Sequence, residues 1–273
     1  MVRTLWSAAS GMIAQQTAVD TIANNLANVN TVGYKTEKAE FKSLLYQTIQ
    51  ARTTTANGAN KPIGAQVGLG TRVASITSRF TQGNMLASES NTDFAIVGEG
   101  FFAVRGEDGE TYYTRNGNFY WAVAEGGGMM LANAEGLPVL DSTGNPITLG
   151  APYDDMSKVS ISKDGEVMYL DETNNPQPIG IQIGLYQFSN PKGLNKLSDS
   201  LYQVSAASGP AINEATNNNI VRSLVRQGYL EGSNVQVADE MVNLIIAQRA
   251  YQMNSKAIQA ADEMLGQANE LRR

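Results

Sequence analysis

The chain has 273 residues, of which 42% are hydrophobic, and a formal net charge of −6; that length is enough for one large domain or two to three small ones. It contains neither cysteine nor histidine, which excludes disulfides, thiolate or histidine zinc sites, cysteine nucleophiles and Ser-His-Asp chemistry. The acidic balance and the lack of clustered Lys or Arg argue against a nucleic-acid surface, and no apolar run reaches the roughly 18 residues of a transmembrane helix.

A first helix is predicted from about Thr4 to Asn30. Leu5, Ala8, Met12, Val19, Ile22, Leu26 and Val29 hold a heptad with polar Gln15 in step, while Trp6, Ala9, Ile13 and Ala23 widen the apolar face. Asn30, Thr31 and Gly33 supply stop chemistry. Asn24, Asn25 and Asn28 crowd the end of this helix, and asparagine is a poor helix former. They are read as uncharged polar contacts between subunits, the alternative being a frayed, solvated helix end. The opening Met1-Val2-Arg3-Thr4-Leu5-Trp6 has one basic residue, and Ser7, Ser10 and Gln15 break the apolar stretch behind it. No cleaved secretory leader is expected.

Over residues 36–50 the pattern suggests a short helix, with Phe41, Leu44, Leu45 and Thr48 along one face. The small polar run Thr53-Thr54-Thr55-Ala56-Asn57-Gly58-Ala59-Asn60 reads as a linker or mobile loop. Strands are then expected over Val67 to Phe80 and Phe94 to Arg105. Turn signals recur at Glu107-Asp108-Gly109-Glu110, Arg115-Asn116-Gly117-Asn118, Ser142-Thr143-Gly144-Asn145 and Lys163-Asp164-Gly165-Glu166. Asp-Gly and Asn-Gly favour the primed turns of two-residue hairpins, and Val159 to Ser162 with Val167 to Leu170 form the clearest such hairpin. Ile179, Ile181, Ile183 and Leu185 alternate with Gly180, Gln182 and Gly184, which places one face of that strand in the core.

A second helix is predicted from about Val235. Leu244, Ala247, Tyr251, Ile258, Ala261, Leu265 and Ala268, with polar Asn254 in step, make one coiled-coil seam. Ile246, Ala250, Met253, Ala257, Ala260, Met264 and Leu271 make a second, about 110° round the helix. One partner cannot cover both. If the terminal helices pair, no third helix is available, because nothing from about Gly64 to Gln227 sustains a helical period. Leaving Ile, Leu and Met side chains in water forfeits about 1.5 to 3 kcal/mol each, so the remaining seams are expected to meet neighbouring subunits. The alternative is a terminal bundle packed on its own β body.

The fold class that follows is α+β. Paired N- and C-terminal coiled-coil helices occupy 1–34 and 235–273, a short helix and linker 35–66, and a central β-rich domain of hairpins 67–234. Gly68-Leu69-Gly70, Gly98-Glu99-Gly100 and Gly126-Gly127-Gly128 lack the context of phosphate loops and are read as turns and bulges. Asp154-Asp155 and Asp171-Glu172 could serve a glycosidase but lie in turn-like surroundings and are read as solvated. Tyr112-Tyr113 and Tyr120-Trp121 are read as sheet packing.

Ala23-Asn24-Asn25-Leu26-Ala27-Asn28-Val29-Asn30-Thr31-Val32-Gly33-Tyr34-Lys35 resembles the N-terminal signature of the axial proteins of the bacterial flagellum, the rod and hook subunits. Asp93 to Phe102, Tyr113 to Phe119 and Gln227 to Val235 are similar to the same family. Leu5 to Met12, Gln15-Gln16, Leu44-Leu45-Tyr46-Gln47 and the overall length look most like its distal-rod branch, with a proximal rod or hook subunit as the alternative. The resemblance implies a structural protein without active site, metal or cofactor, exported by the flagellar type III route into the basal body, outside the cytoplasmic membrane. It implies a homo-oligomeric helical tube that encloses the export channel and transmits torque. Proximal rod and hook subunits, rod cap and bushing-ring proteins are the implied partners, with no nucleic acid and no small-molecule substrate. Residues 46–66 are similar to a rod segment that hook subunits lack. The residues expected at the assembly interface are Leu5, Met12, Val19, Ile22, Asn24, Asn25, Leu26, Asn28, Leu244, Ile246, Tyr251, Met253, Ile258, Met264 and Leu265.

Overall fold

The computed structural model describes residues 2–50, 64–124, 127–150, 153, 155–171, 175–198, 200–217 and 219–271. Two compact units divide the chain. One comprises Met1–Ala27, Glu37–Ser78 and Gln236–Arg273; the other comprises Asn28–Thr36 and Arg79–Val235.

In the first unit the heptad segments form α1 (Val2–Ala27) and α2 (Val237–Glu270), which pack against each other. Gly11 of α1 meets Asn254 of α2, where a Cβ on the glycine would stand 2.8 Å from the amide nitrogen. Further along, Asn25 of α1 donates to Glu240 of α2 at 3.1 Å. The two pairs lie equally far apart on both helices, which fixes an antiparallel register. The polar interruption at Asn254 thus marks the point of closest approach to Gly11.

Residues 37–50 are not helical. They form β1 (Glu37–Ser43) and β2 (Tyr46–Gln50), which pair antiparallel with β4 (Thr71–Ser78) and β3 (Ala65–Gly68) respectively. Leu44 N–H to the Gly70 carbonyl at 2.9 Å and Leu69 N–H to the Leu45 carbonyl at 3.1 Å carry the pairing across the junction. The Lys, Glu, Ala and Leu content of this stretch suits a helix, but cross-strand pairing of Ala39 with Ile76 and Phe41 with Val73 overrides that weak preference. The run Thr53 to Asn60 lies outside the described residues.

The second unit holds β5 (Met85–Ala87), β6 (Phe94–Val97), β7 (Phe101–Arg105), β8 (Thr111–Thr114), β9 (Tyr120–Val123), β10 (Met129–Ala132), β11 (Thr148–Leu149), β12 (Val159–Ile161), β13 (Glu166–Leu170), β14 (Pro176–Gln182), β15 (Leu185–Gln187), β16 (Asn195–Lys196), β17 (Leu201–Gln203), β18 (Ile212–Asn213), β19 (Leu224–Gln227) and β20 (Tyr229–Glu231). Its largest sheet has the order β16-β17-β8-β7-β15-β18. In β7, Phe102 and Val104 enter one apolar cluster with Phe94, Phe119 and Leu131, while Phe101 and Ala103 enter another with Tyr113, Leu140 and Phe188. Successive side chains of a strand point to opposite faces, so the continuous Phe101-Phe102-Ala103-Val104 run reflects a strand buried on both sides.

The expected alternation around 179–185 is present: Ile181, Ile183 and Leu185 face the first of these clusters and Ile179 packs on a third, around Leu149, Val159 and Val167. The Val159 hairpin also forms, with Ile161 opposite Val167, but its turn is not the two-residue primed type. Gly165 N–H bonds the Ser162 carbonyl and Ser162 N–H the Glu166 carbonyl, with Gly165 at φ +81°. This is a longer loop closed by a left-handed glycine, and Gly106 to Glu110 repeats the bonding. Arg115-Asn116-Gly117-Asn118 is no hairpin tip: the Gly117 carbonyl accepts from Phe94 N–H at 2.9 Å, and a Cβ on Gly117 would collide with the Phe94 carbonyl.

Candidate assembly surface and a buried charge cluster

The two seams of α2 have different fates within the chain. In the first, Ala247 and Ala261 are buried and Leu244, Ile258 and Leu265 half-buried, while Tyr251 stays exposed. In the second, Ile246 is 61%, Met253 65% and Met264 50% exposed, and Leu271 is also open. Met241, Val242 and Ile245 add exposed apolar surface that the heptad count missed; of these only Val242, four positions before Ile246, shares its face, while Met241 and Ile245 pair with each other four apart. On α1, Leu5, Met12, Val19, Ile22 and Leu26 are half-buried, whereas Trp6 is 70% and Ile13 66% exposed.

The amides at the end of α1 divide as well. Asn24 is exposed and Asn28 half-buried, but Asn25 is 1% exposed. Its carbonyl oxygen accepts Glu37 N–H at 2.8 Å, and its amide donates to the Glu37 carbonyl at 2.8 Å as well as to Glu240. Asn25 therefore pairs with Glu37 as another peptide group would. This binds the last turn of α1 to β1 and to the start of α2, and it gives a poor helix former a place where its side chain lowers the energy.

The second unit holds a cluster of charges, Lys35, Arg115 and Glu231, drawn from three of the family-like blocks. Glu231 accepts Lys35 Nζ at 2.6 Å on one oxygen and an Arg115 guanidinium nitrogen at 3.3 Å on the other, and all three side chains are almost completely shielded from water. Gly83 N–H donates to the same carboxylate at 2.9 Å. Lys35 also donates to the Thr81 carbonyl at 3.0 Å, and Arg115 to the Gly98 carbonyl at 2.8 Å, with its guanidinium carbon 4.9 Å from the Phe101 ring centre. Burial pulls both Lys35 and Arg115 below their ordinary pKa values, and the charge of Glu231 works against that shift. Another buried carboxylate, Glu214, also acts to raise Arg115; it accepts Ser223 N–H at 2.6 Å, Ser223 Oγ at 2.8 Å and the Gln187 amide at 2.9 Å. Ser223 Oγ in turn accepts Gly100 N–H at 2.9 Å, and a Cβ on Gly100 would stand 2.5 Å from the Glu214 carboxylate. The Gly98-Glu99-Gly100 turn is therefore a place of close approach.

Of the carboxylate pairs, Asp155 caps a short turn by accepting Ser157 N–H at 3.1 Å; Asp154 and Glu172 lie outside the described residues. Among the described residues no group of three or more His, Cys, Asp or Glu converges on a metal position.

Successive stretches of the chain match three family descriptions: Flagella basal body rod protein over residues 5–35, Flagellar hook protein FlgE/F/G D1 domain over 95–169, and Flagellar basal body rod FlgEFG protein C-terminal over 226–271. The flagellar basal-body rod protein FlgG of Borreliella burgdorferi is 44% identical over the full length of both chains. Those of Caulobacter vibrioides and Bacillus subtilis are 40% and 37% identical, covering 99% and 100% of this chain and all of each relative. The chain belongs to the flagellar basal-body rod protein family, among the FlgG homologues.

Proposed function

We propose that the chain is a structural subunit of the flagellar distal rod, and that copies of it assemble into a helical tube which encloses the export channel and carries motor torque to the hook. The observation that carries this reading is the uncovered second seam, Ile246, Met253 and Met264, on a helix whose first seam already meets α1. Contacts repeated along a tube would cover that surface, and the full-length similarity to proteins named as basal-body rod proteins supports the same role. Tyr46, Ile49 and Val67 on the β2–β3 pair, and Leu45 just before it, are exposed too and offer neighbouring subunits further apolar contacts. The expected interface residues Leu5, Met12, Val19, Ile22, Asn24, Leu26, Asn28, Leu244, Tyr251, Ile258 and Leu265 belong to this proposal, with Asn25 acting from within the chain. Proximal rod and hook subunits would continue the tube at its ends, with rod cap and bushing-ring proteins as further partners. Its place is the basal body, outside the cytoplasmic membrane, reached by type III export. The function is one of packing, not catalysis. Electron microscopy of the concentrated full-length chain tests the reading: straight tubes are expected, and unordered aggregates would refute it.

A further inference from the structure

The β unit is discontinuous. Asn28–Thr36 belongs to it, yet the next 42 positions, Glu37–Ser78, belong to the other unit. Asn28–Thr36 enters none of the sheets, and none of the three apolar clusters contains one of its residues. The core of the β unit is therefore complete without it.

Polar contacts hold it instead. Gly33 N–H donates to the Glu231 carbonyl at 2.8 Å, and with φ +71° it lies so near the Arg115–Asn116 peptide that a Cβ would stand 2.7 Å from that backbone. Thr36 N–H and Oγ1 donate to Asn234 Oδ1 at 2.7 and 2.6 Å, and Lys35 reaches the buried Glu231 carboxylate. Lys35 is the one charge of the cluster that this segment brings.

We propose that Asn28–Thr36 is a strap that closes onto an already folded β core, and that Lys35, Glu231 and Arg115 form its latch. Until Lys35 arrives, the core holds Glu231 and Arg115 as a ready partner pair. Once it has arrived, the strap cannot leave without taking a buried ammonium away from its carboxylate. An ion cluster of this kind contributes less to overall stability than to selecting one arrangement, and removing a single partner is what it punishes. Regions secured by few apolar contacts are those that open separately from the global fold. The strap follows directly on α1 and precedes β1, so the latch makes completion of the β unit the step that fixes the chain segment leaving the first helix. This holds for the single chain and is independent of the rod reading.

Hydrogen exchange of the dilute full-length protein, followed by mass spectrometry, tests the latch in Glu231→Gln and Lys35→Met. In Glu231→Gln, peptides covering 28–36 are expected to exchange on the order of a hundredfold faster than in the parent, while those covering 94–104 keep the parent rate. Lys35→Met should accelerate the same strap peptides, without leaving an unpaired anion because Arg115 still faces Glu231. Unchanged exchange over 28–36 would overturn the proposal, as would acceleration of 28–36 and 94–104 by the same factor. If Glu231→Gln does not fold, Lys35→Met is judged by the same two peptides.

Discussion

Phe94, Ile96, Phe102 and Phe119 of the β unit are sealed from water, whereas Ile246, Met253 and Met264 of α2 lie open along the helix. Both sets follow from apolar residues at regular spacing. The difference lies in what the chain can bring to meet them. A sheet strand such as β7 finds partners on both faces within the same unit, while α2 meets one helix and has a second apolar face beyond it. One unit buries its apolar residues within its own chain, and the other leaves an apolar helix face open.

The largest effect should come from charging the seam. Ile258→Asp places a carboxylate in the half-buried face towards α1 and is expected to abolish assembly while the β unit keeps its fold, read by sedimentation beside circular dichroism; normal polymerisation would sink the seam argument. In the β unit the comparable insult is a cavity. Phe102 packs edge-on against Phe119 with ring centres 5.2 Å apart, so Phe102→Ala should cost about 3 to 5 kcal/mol in denaturant unfolding, and a loss below 1 kcal/mol would show that this core is not close-packed. Asn25→Asp is smaller. It would set a carboxylate against Glu240 and remove the donor to the Glu37 carbonyl, costing about 1 to 3 kcal/mol. The loss should appear in melting of the helices of the single chain, and a variant that loses assembly with unchanged helix melting would move Asn25 to the interface.

The weakest lever is alkaline pH, and it acts on the β unit. Lys35 in the folded chain lies below its ordinary 10.5, so between those two values the unfolded chain binds more protons and stability rises with pH. Burial pushes Tyr113 up to about 12 from 10.0. The folded chain then keeps a proton that the unfolded chain loses, and stability falls from about pH 10 to about 12. Stability measured against pH should therefore climb towards 10 and decline beyond it, with Tyr113→Phe weakening the decline; an identical decline in that variant would assign it elsewhere.

Much of this contrast was legible in the sequence, because a heptad count finds both helices and a two-residue alternation finds the apolar face over Ile179–Leu185, although that stretch is divided between β14 and β15 in two sheets. The second seam was visible as surplus, and it is exposed in the structure. Residues 37–50 were misread, since a short segment of Lys, Glu, Ala and Leu has a helical preference that pairing with a strand some 30 residues away outweighs. The charge cluster was illegible for a related reason. Lys35 and Glu231 are 196 positions apart, and a charge inside a motif block reads as solvated until topology shows what surrounds it. The close glycines offered the one hint: Gly33 and Gly98 flank the cluster because backbone or side-chain atoms approach them too closely for a Cβ.

The central claim is that the outer seam of α2 is finished by other copies of the chain. Sedimentation velocity of the full-length parent beside Ile246→Asp/Met253→Asp, over a rising concentration series, tests it most directly. The parent should shift to large polymers while the double variant stays monomeric with an unchanged melting temperature, because both side chains are already in water. A double variant that polymerises at the parent's concentration would contradict the account.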